Sequence, residues 1–180
     1  RYKKPFIILV YTLLSKFVFQ QKKMTTLKAG DSAPDFNSID QDGNNVSLKD
    51  FLNHDWLVIY FYPHDMTPTC TVQACNLRDG WSDLEKSGVN VLGVSEDSEK
   101  KHQKFISRHD LPFSLLADSS HEVMKAYQVW GPKKFMGRIS DATHRTTFII
   151  DKTGIIRHVI HPVKSKKHTE EILDVIRELG

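Results

Sequence analysis

Cys70 and Cys75 are the only cysteines in the 180-residue chain, and their placement is what invites a chemical reading. The stretch around them, Trp56 to Cys75, reads WLVIYFYPHDMTPTCTVQAC. Thr67 is of the type that caps a helix, and Pro68 suits the first helical position, where a missing N–H costs nothing. That puts Cys70 third in the helix, within a first turn whose unpaired N–H groups and dipole favour an anion. A thiol there is expected to have a lowered pKa and to carry more thiolate, the nucleophilic form. A free cysteine is more often simply a small buried apolar residue; strand end, proline, cap and thiol coincide here, which favours the reactive reading. Cys75 follows five residues later on the same helix. Ideal helix geometry separates such a pair by roughly 8.7 Å at Cα and about 140° around the axis, beyond the roughly 7 Å that a disulfide spans. The two are therefore unrelated, or they form a switch that closes only when the helix unwinds.

The elements that must hold these residues follow from the pattern. Trp56–Tyr62 is an uncharged apolar and aromatic run ended by Pro63, which reads as a buried central strand. The helix from Thr67 is predicted to run past Leu77, Trp81 and Leu84 to a stop near Ser87-Gly88. Ahead of it, Ala33–Phe36 and Val46–Leu48 flank the turn signal Asp42-Gly43, predicting an N-terminal hairpin and then a helical turn near residues 48–52. Beyond it come a buried strand at Val89–Val94, a polar helix over 99–108 capped by Ser98, a short strand at Phe113–Leu116 and a helix at Ser120–Tyr127. Gly131–Ser140 reads as a basic loop. Arg145–Asp151 and Ile155–Ile160 read as strands around Lys152-Thr153-Gly154. Thr169 is read as the cap of a last helix, in which Ile172, Val175, Ile176 and Leu179 recur at helical spacing. Strands alternating with helices give an α/β architecture: a central mixed sheet flanked by helices, with an N-terminal β-hairpin.

Composition narrows the function. Two cysteines are too few for a disulfide framework or a four-thiolate zinc site, and no C-x-x-C argues for a disulfide reductase. A transient thiol pair suits a reducing compartment, so a cytoplasmic location is expected. The net charge of +3 misleads, because Arg1, Lys3, Lys4, Lys16, Lys22 and Lys23 meet no acid in residues 1–23. Without them 19 basic residues face 22 acidic ones, a net of −3, and nothing suggests nucleic-acid binding. Residues 1–23 are expected to lie outside the fold, which is assigned to 24–180; a targeting segment is the alternative. Phe6–Leu14 is apolar, but Lys16 interrupts it short of the ~20 residues needed to span a bilayer, and no membrane is expected for the folded domain.

Pro63-x-x-x-Thr67-x-x-Cys70 resembles the active-site signature of the peroxiredoxins, and FYPHDMTPTCTVQACNLRD resembles their bacterioferritin-comigratory protein (peroxiredoxin Q) branch. KAGDSAPDF at 28–36, VLGVSEDS at 91–98, KFMGR at 134–138 and RTTFIIDKTG at 145–154 extend the resemblance from about Leu27 to the C-terminus. It implies a thioredoxin-like fold and a thiol peroxidase acting on hydrogen peroxide and organic hydroperoxides. It also implies a thioredoxin-like reductant as partner, an intramolecular disulfide, a monomer or weak homodimer, and no haem, flavin or metal. By the same resemblance Cys70 is the peroxidatic cysteine and Cys75 the resolving one. Arg145 steadies the thiolate and the peroxide oxygens, Thr67 hydrogen-bonds the sulfur or peroxide, and Pro63 shields the thiolate. Gln73, one turn past Cys70, is read as orienting Arg145 or as exposed. Thr69 stands where the family commonly has glycine. One histidine with two cysteines falls short of a zinc shell, so His64 is read as a solvent-facing loop residue. His102, His109, His121, His144, His158, His161 and His168 are likewise assigned to the surface. Two other classes stay open: a redox-regulated holdase whose oxidation unwinds the Cys70 helix, and a metal-binding protein using Cys70, Cys75 and His64.

Overall fold

In the computed structural model, residues 25–180 are described; the expectation for residues 1–23 lies outside them. Trp56–Phe61 forms β3, the hub of a seven-stranded mixed sheet. Val89–Ser95 (β4) lies parallel to it on one side and Thr146–Asp151 (β8) antiparallel on the other. Asn37–Asp40 (β1), Asn45–Ser47 (β2), Ser114–Ala117 (β5) and Ile156–Ile160 (β9) complete the order β2-β1-β5-β4-β3-β8-β9. Trp130–Phe135 (β6) and Arg138–Thr143 (β7) form a separate two-stranded ribbon.

Alternation along β3 supplies two cores, as the period of a strand requires. Leu57, Ile59 and Phe61 face one way, against Leu92, Phe148, Met124 and the 3₁₀ turn Leu48–Phe51. Val58, Tyr60 and Tyr62 face the other, against helices α1 (Pro68–Asp79), α2 (Trp81–Lys86), α3 (Glu99–His109) and α5 (His168–Leu179). The short α4, Glu122–Ala126, covers the first face. The expected mixed sheet, flanking helices and N-terminal hairpin are present. Among the described residues no helix is long and apolar enough to cross a membrane.

Four local expectations are corrected. The first hairpin strand starts at Asn37; Ala33 instead donates its N–H to Gly154 O at 2.8 Å and buries its methyl. The helix from Thr67 breaks at Gly80, where a Cβ would lie 2.3 Å from Thr169 Cγ2. Residues 131–140 are not a loop: β6 and β7 turn tightly at Met136 and Gly137, both at positive φ (47° and 81°), the sense of turn that matches strand twist. Thr169 is the second residue of α5 rather than its cap, a place taken by Lys167. Thr169 spends both its polar groups on α1, its N–H on Asn76 Oδ1 and its hydroxyl on Asn76 O, each at 2.8 Å.

Candidate active site

The loop between β3 and α1 is pinned from below. The Tyr62 hydroxyl donates to Asp65 Oδ1 at 2.6 Å, and His102 Nδ1 meets Asp65 Oδ2 at 2.7 Å. The Asp65 N–H donates to Asp97 Oδ2 at 2.7 Å. Burial pushes the Asp97 carboxyl up, but this is outweighed by bonds from Asp65 N–H, Lys101 and Ser95, which leave it below the ordinary carboxylate value. Thr67 stands at the N-cap with extended backbone, Pro68 is first in α1, and Cys70 is third, as predicted. Cys70 is 2% exposed. Thr67 makes no side-chain bond to the helix amides; its hydroxyl donates to His64 O at 3.0 Å, closing the loop on itself.

Arg145 arrives by sheet register. Because β8 runs antiparallel to β3, with Thr146 opposite Phe61, the residue just before β8 falls beside the loop that follows β3. Arg145 Nη2 donates to Cys70 Sγ at 3.1 Å, and Nη1 donates to Gln73 Oε1. Gln73 is fully buried, which settles the alternative of exposure. Its amide nitrogen lies 3.0 Å from His168 Nδ1, and His168 Nε2 lies 3.0 Å from Thr147 Oγ1. Burial, with a smaller contribution from the Arg145 charge, pushes the His168 ring down to about 3. His161 Nδ1 meets the Arg145 carbonyl at 3.0 Å and holds its backbone.

A cleft of about 440 Å³ opens over the guanidinium, lined by Thr69, Lys133, His144, Arg145, His161 and Val163 among others. Burial, then repulsion from Arg145, lowers the pKa of Lys133; burial lowers that of His144. Thr69, at the rim, is exposed. Pro63 is half-buried directly after β3. Cys75 is half-buried, its Sγ 3.8 Å from His109 Nδ1, and both thiols are free.

The surface assignment of histidines fails for most of them. His102 and His168 are fully buried, and His109, His121, His144 and His161 are half-buried. His158 is exposed, as is His64, which pairs with Glu96 at 3.3 Å. Two of these buried residues carry a signal in the sequence. His102 precedes Phe105 by three positions and His168 precedes Ile172 by four, so each extends the buried stripe of its helix. Among the described residues no group of three or more histidine, cysteine or acidic side chains is placed to hold a metal, so Cys70, Cys75 and His64 do not form one.

The AhpC/TSA family model matches residues 29–159. The chain is 48% identical to the peroxiredoxin Bcp of Escherichia coli strain K12 over 155 residues, 86% of this chain and 99% of that protein. It belongs to the AhpC/TSA family, in its Bcp/PrxQ peroxiredoxin branch. The Bacillus subtilis strain 168 peroxiredoxin Bcp is 39% identical over 155 residues, 86% of this chain and 98% of that one. Solved peroxiredoxin structures superpose closely. Peroxidoxin BcpB of Mycobacterium tuberculosis gives a TM-score of 0.75 at 30% identity, over 86% of this chain and 99% of that one. The bacterioferritin comigratory protein of Xanthomonas campestris, studied for alkyl peroxide reduction, gives 0.76 at 28%, over 86% and 98%. The peroxiredoxin fold is thus the thioredoxin-like one expected.

Proposed function

We propose that this peroxiredoxin reduces hydrogen peroxide and alkyl hydroperoxides, with Cys70 as the attacking thiolate. The observation that carries the reading is the 3.1 Å bond from Arg145 Nη2 to Cys70 Sγ, in the first turn of a helix and made by an arginine that lines a cleft. The sulfur attacks the terminal peroxide oxygen and keeps it as S–OH, and the O–O bond breaks. The leaving alkoxide, or hydroxide from hydrogen peroxide, takes a proton from solvent to become alcohol or water; Cys70 is oxidised to sulfenic acid. A guanidinium keeps its charge and offers a fixed fork of donors, so it serves the thiolate and then the oxygen on which charge develops. Thr67 spends its proton on His64 O, so its lone pairs are the groups available to accept the peroxide O–H. Pro63 forms a rigid wall beside the sulfur.

Cys75 then attacks the sulfenic sulfur, water leaves, and a Cys70–Cys75 disulfide forms. A dithiol reductant of the thioredoxin type, in a reducing compartment such as the cytoplasm, returns two electrons and closes the cycle. The alkyl peroxide chemistry named for the Xanthomonas relative supports this substrate class. The test is peroxide consumption with thioredoxin and its reductase as electron source. Cys70→Ser should abolish turnover, since serine supplies no comparable nucleophile at neutral pH. A variant keeping a tenth of the rate, about 1.4 kcal/mol of barrier, would move the nucleophile elsewhere.

A further inference from the structure

The polar atoms behind Arg145 admit one proton arrangement. A guanidinium has donors only, so the Gln73 atom facing Nη1 must be its oxygen, and the amide nitrogen therefore faces His168. That nitrogen can only donate, so His168 Nδ1 must offer a lone pair. The ring proton then sits on Nε2 and is donated to Thr147 Oγ1. Gln73, His168 and Thr147 are all fully buried, where water cannot substitute for a misplaced partner. The Tyr60 ring lies against the imidazole in a T-shaped arrangement, at 6.0 Å between centroids.

We propose that His168 is a positioning residue for peroxide attack: by accepting from Gln73 it fixes the amide oxygen on Arg145, and so fixes the guanidinium on the Cys70 sulfur. The inference rests on the reading of Cys70 as the attacking thiolate. A ring protonated on both nitrogens would turn a donor toward the Gln73 amide and undo the arrangement; the burial that keeps the ring neutral prevents this. A leucine would continue the apolar stripe of α5 without a polar atom to satisfy, so bare packing does not call for an imidazole here.

Three variants separate positioning from packing, each checked for fold by circular dichroism and urea midpoint. His168→Asn keeps an acceptor near the place of Nδ1; His168→Gln reaches the place of Nε2 and leaves Gln73 without its acceptor. Thr147→Val leaves the histidine in place but removes the acceptor of its Nε2–H. The readout is the stopped-flow rate of Cys70 sulfenate formation with hydrogen peroxide, followed across pH. His168→Gln should slow it by about tenfold or more and move the acid limb of the profile to higher pH, since a displaced guanidinium no longer faces the sulfur. Thr147→Val should slow it severalfold, and His168→Asn should stay within about threefold of the wild type. A folded His168→Gln with wild-type rate and profile overturns the proposal. So does His168→Asn losing as much as His168→Gln. If His168→Gln does not fold, Thr147→Val decides, and a wild-type rate there is fatal. Ring ¹⁵N shifts give a readout free of activity: the wild type should show the Nε2–H form, and the Nδ1–H form would sink the idea. A wild type with no Cys70-dependent reaction would sink the peroxidase reading itself, whereas a reactive wild type with unaffected variants sinks only the role of His168.

Discussion

Burial and the Arg145 charge hold the His168 ring at about 3, while an unfolded histidine titrates near 6.5. Between those values the unfolded chain binds the extra proton, so stability rises with pH through this window. The contribution is fully present above about pH 6.5 and is lost as pH falls, at up to about 1.4 kcal/mol per unit. His144, also lowered by burial, works in the same direction. The Asp97 and Asp151 carboxyls lie below their ordinary 3.8, so their contributions are lost only at more acid pH. The urea midpoint of the wild type should therefore fall steadily from about pH 7 to about pH 4.5. His168→Asn should start lower and fall less, with His144 supplying the remaining slope; parallel curves would remove His168 from the account. These residues differ in how far the sequence discloses them. Cys70, Thr67 and Pro68 are bound to one helix start, and local spacing is enough to place them. Arg145 needs the antiparallel register of β8 against β3, which no local pattern contains, and only the family motif marks it. His168 shows no ligand spacing in the sequence, although its offset from Ile172 puts it on the buried face.

Two elements meet where α1 ends, and the contact explains why one predicted helix is two. Gly80 closes α1 and opens α2 at ordinary φ (−92°), so the glycine serves close approach rather than an unusual backbone. Its missing side chain admits Thr169, whose hydroxyl is already committed to Asn76 O and which cannot swing away freely. Gly80→Ala should destabilise the protein by about 2 kcal/mol through overpacking, despite the better helix propensity of alanine. It should also slow peroxide attack, because the turn it displaces carries His168. Adding Thr169→Ser removes the nearest clashing atom, Cγ2, but keeps Oγ1 at 2.8 Å and Cβ at 2.9 Å from the added methyl, so the double variant should recover only part of both losses. Urea midpoints and sulfenate rates for the four proteins test this, and additive losses would mean that the contact does not set the break. The end of α1 is not legible in the sequence because Leu77, Trp81 and Leu84 keep helical spacing across Gly80, and only the partner helix reveals the interruption. The β6–β7 ribbon is not legible for a different reason. Its tip, with Phe135, Met136 and Ile139 exposed, has no buried face and hence no alternation to read.

Under the proposed Cys70–Cys75 disulfide, oxidation and folding are set against each other across the whole molecule. A Cys70–Cys75 bond cannot form on an intact α1, yet α1 is held to the segment that opens α5 by a compact set of bonds. Asn76 accepts from Thr169 N–H and the Thr169 hydroxyl and donates Nδ2–H to Lys166 O at 3.2 Å; Gln73 pairs with His168. The reduced protein should therefore protect the amides of residues 71–78 from hydrogen exchange, and the oxidised protein should not, a local unfolding driven by disulfide formation. Asn76, the residue after Cys75, is where the cost can be measured. Asn76→Ala removes two bonds that exist only while α1 is docked, which weakens the reduced form by about 1–2 kcal/mol and leaves an unwound oxidised form untouched. The disulfide should then be harder to reduce, its potential lower by about 20–45 mV at roughly 30 mV per 1.4 kcal/mol. Equilibration against a dithiol couple of known potential measures this. An unchanged potential would mean that unwinding stops short of Asn76. Peptide mapping of the oxidised wild type bears on the premise itself, since an intermolecular Cys70 bond beside a free Cys75 would make the opposition between helix and disulfide irrelevant to turnover.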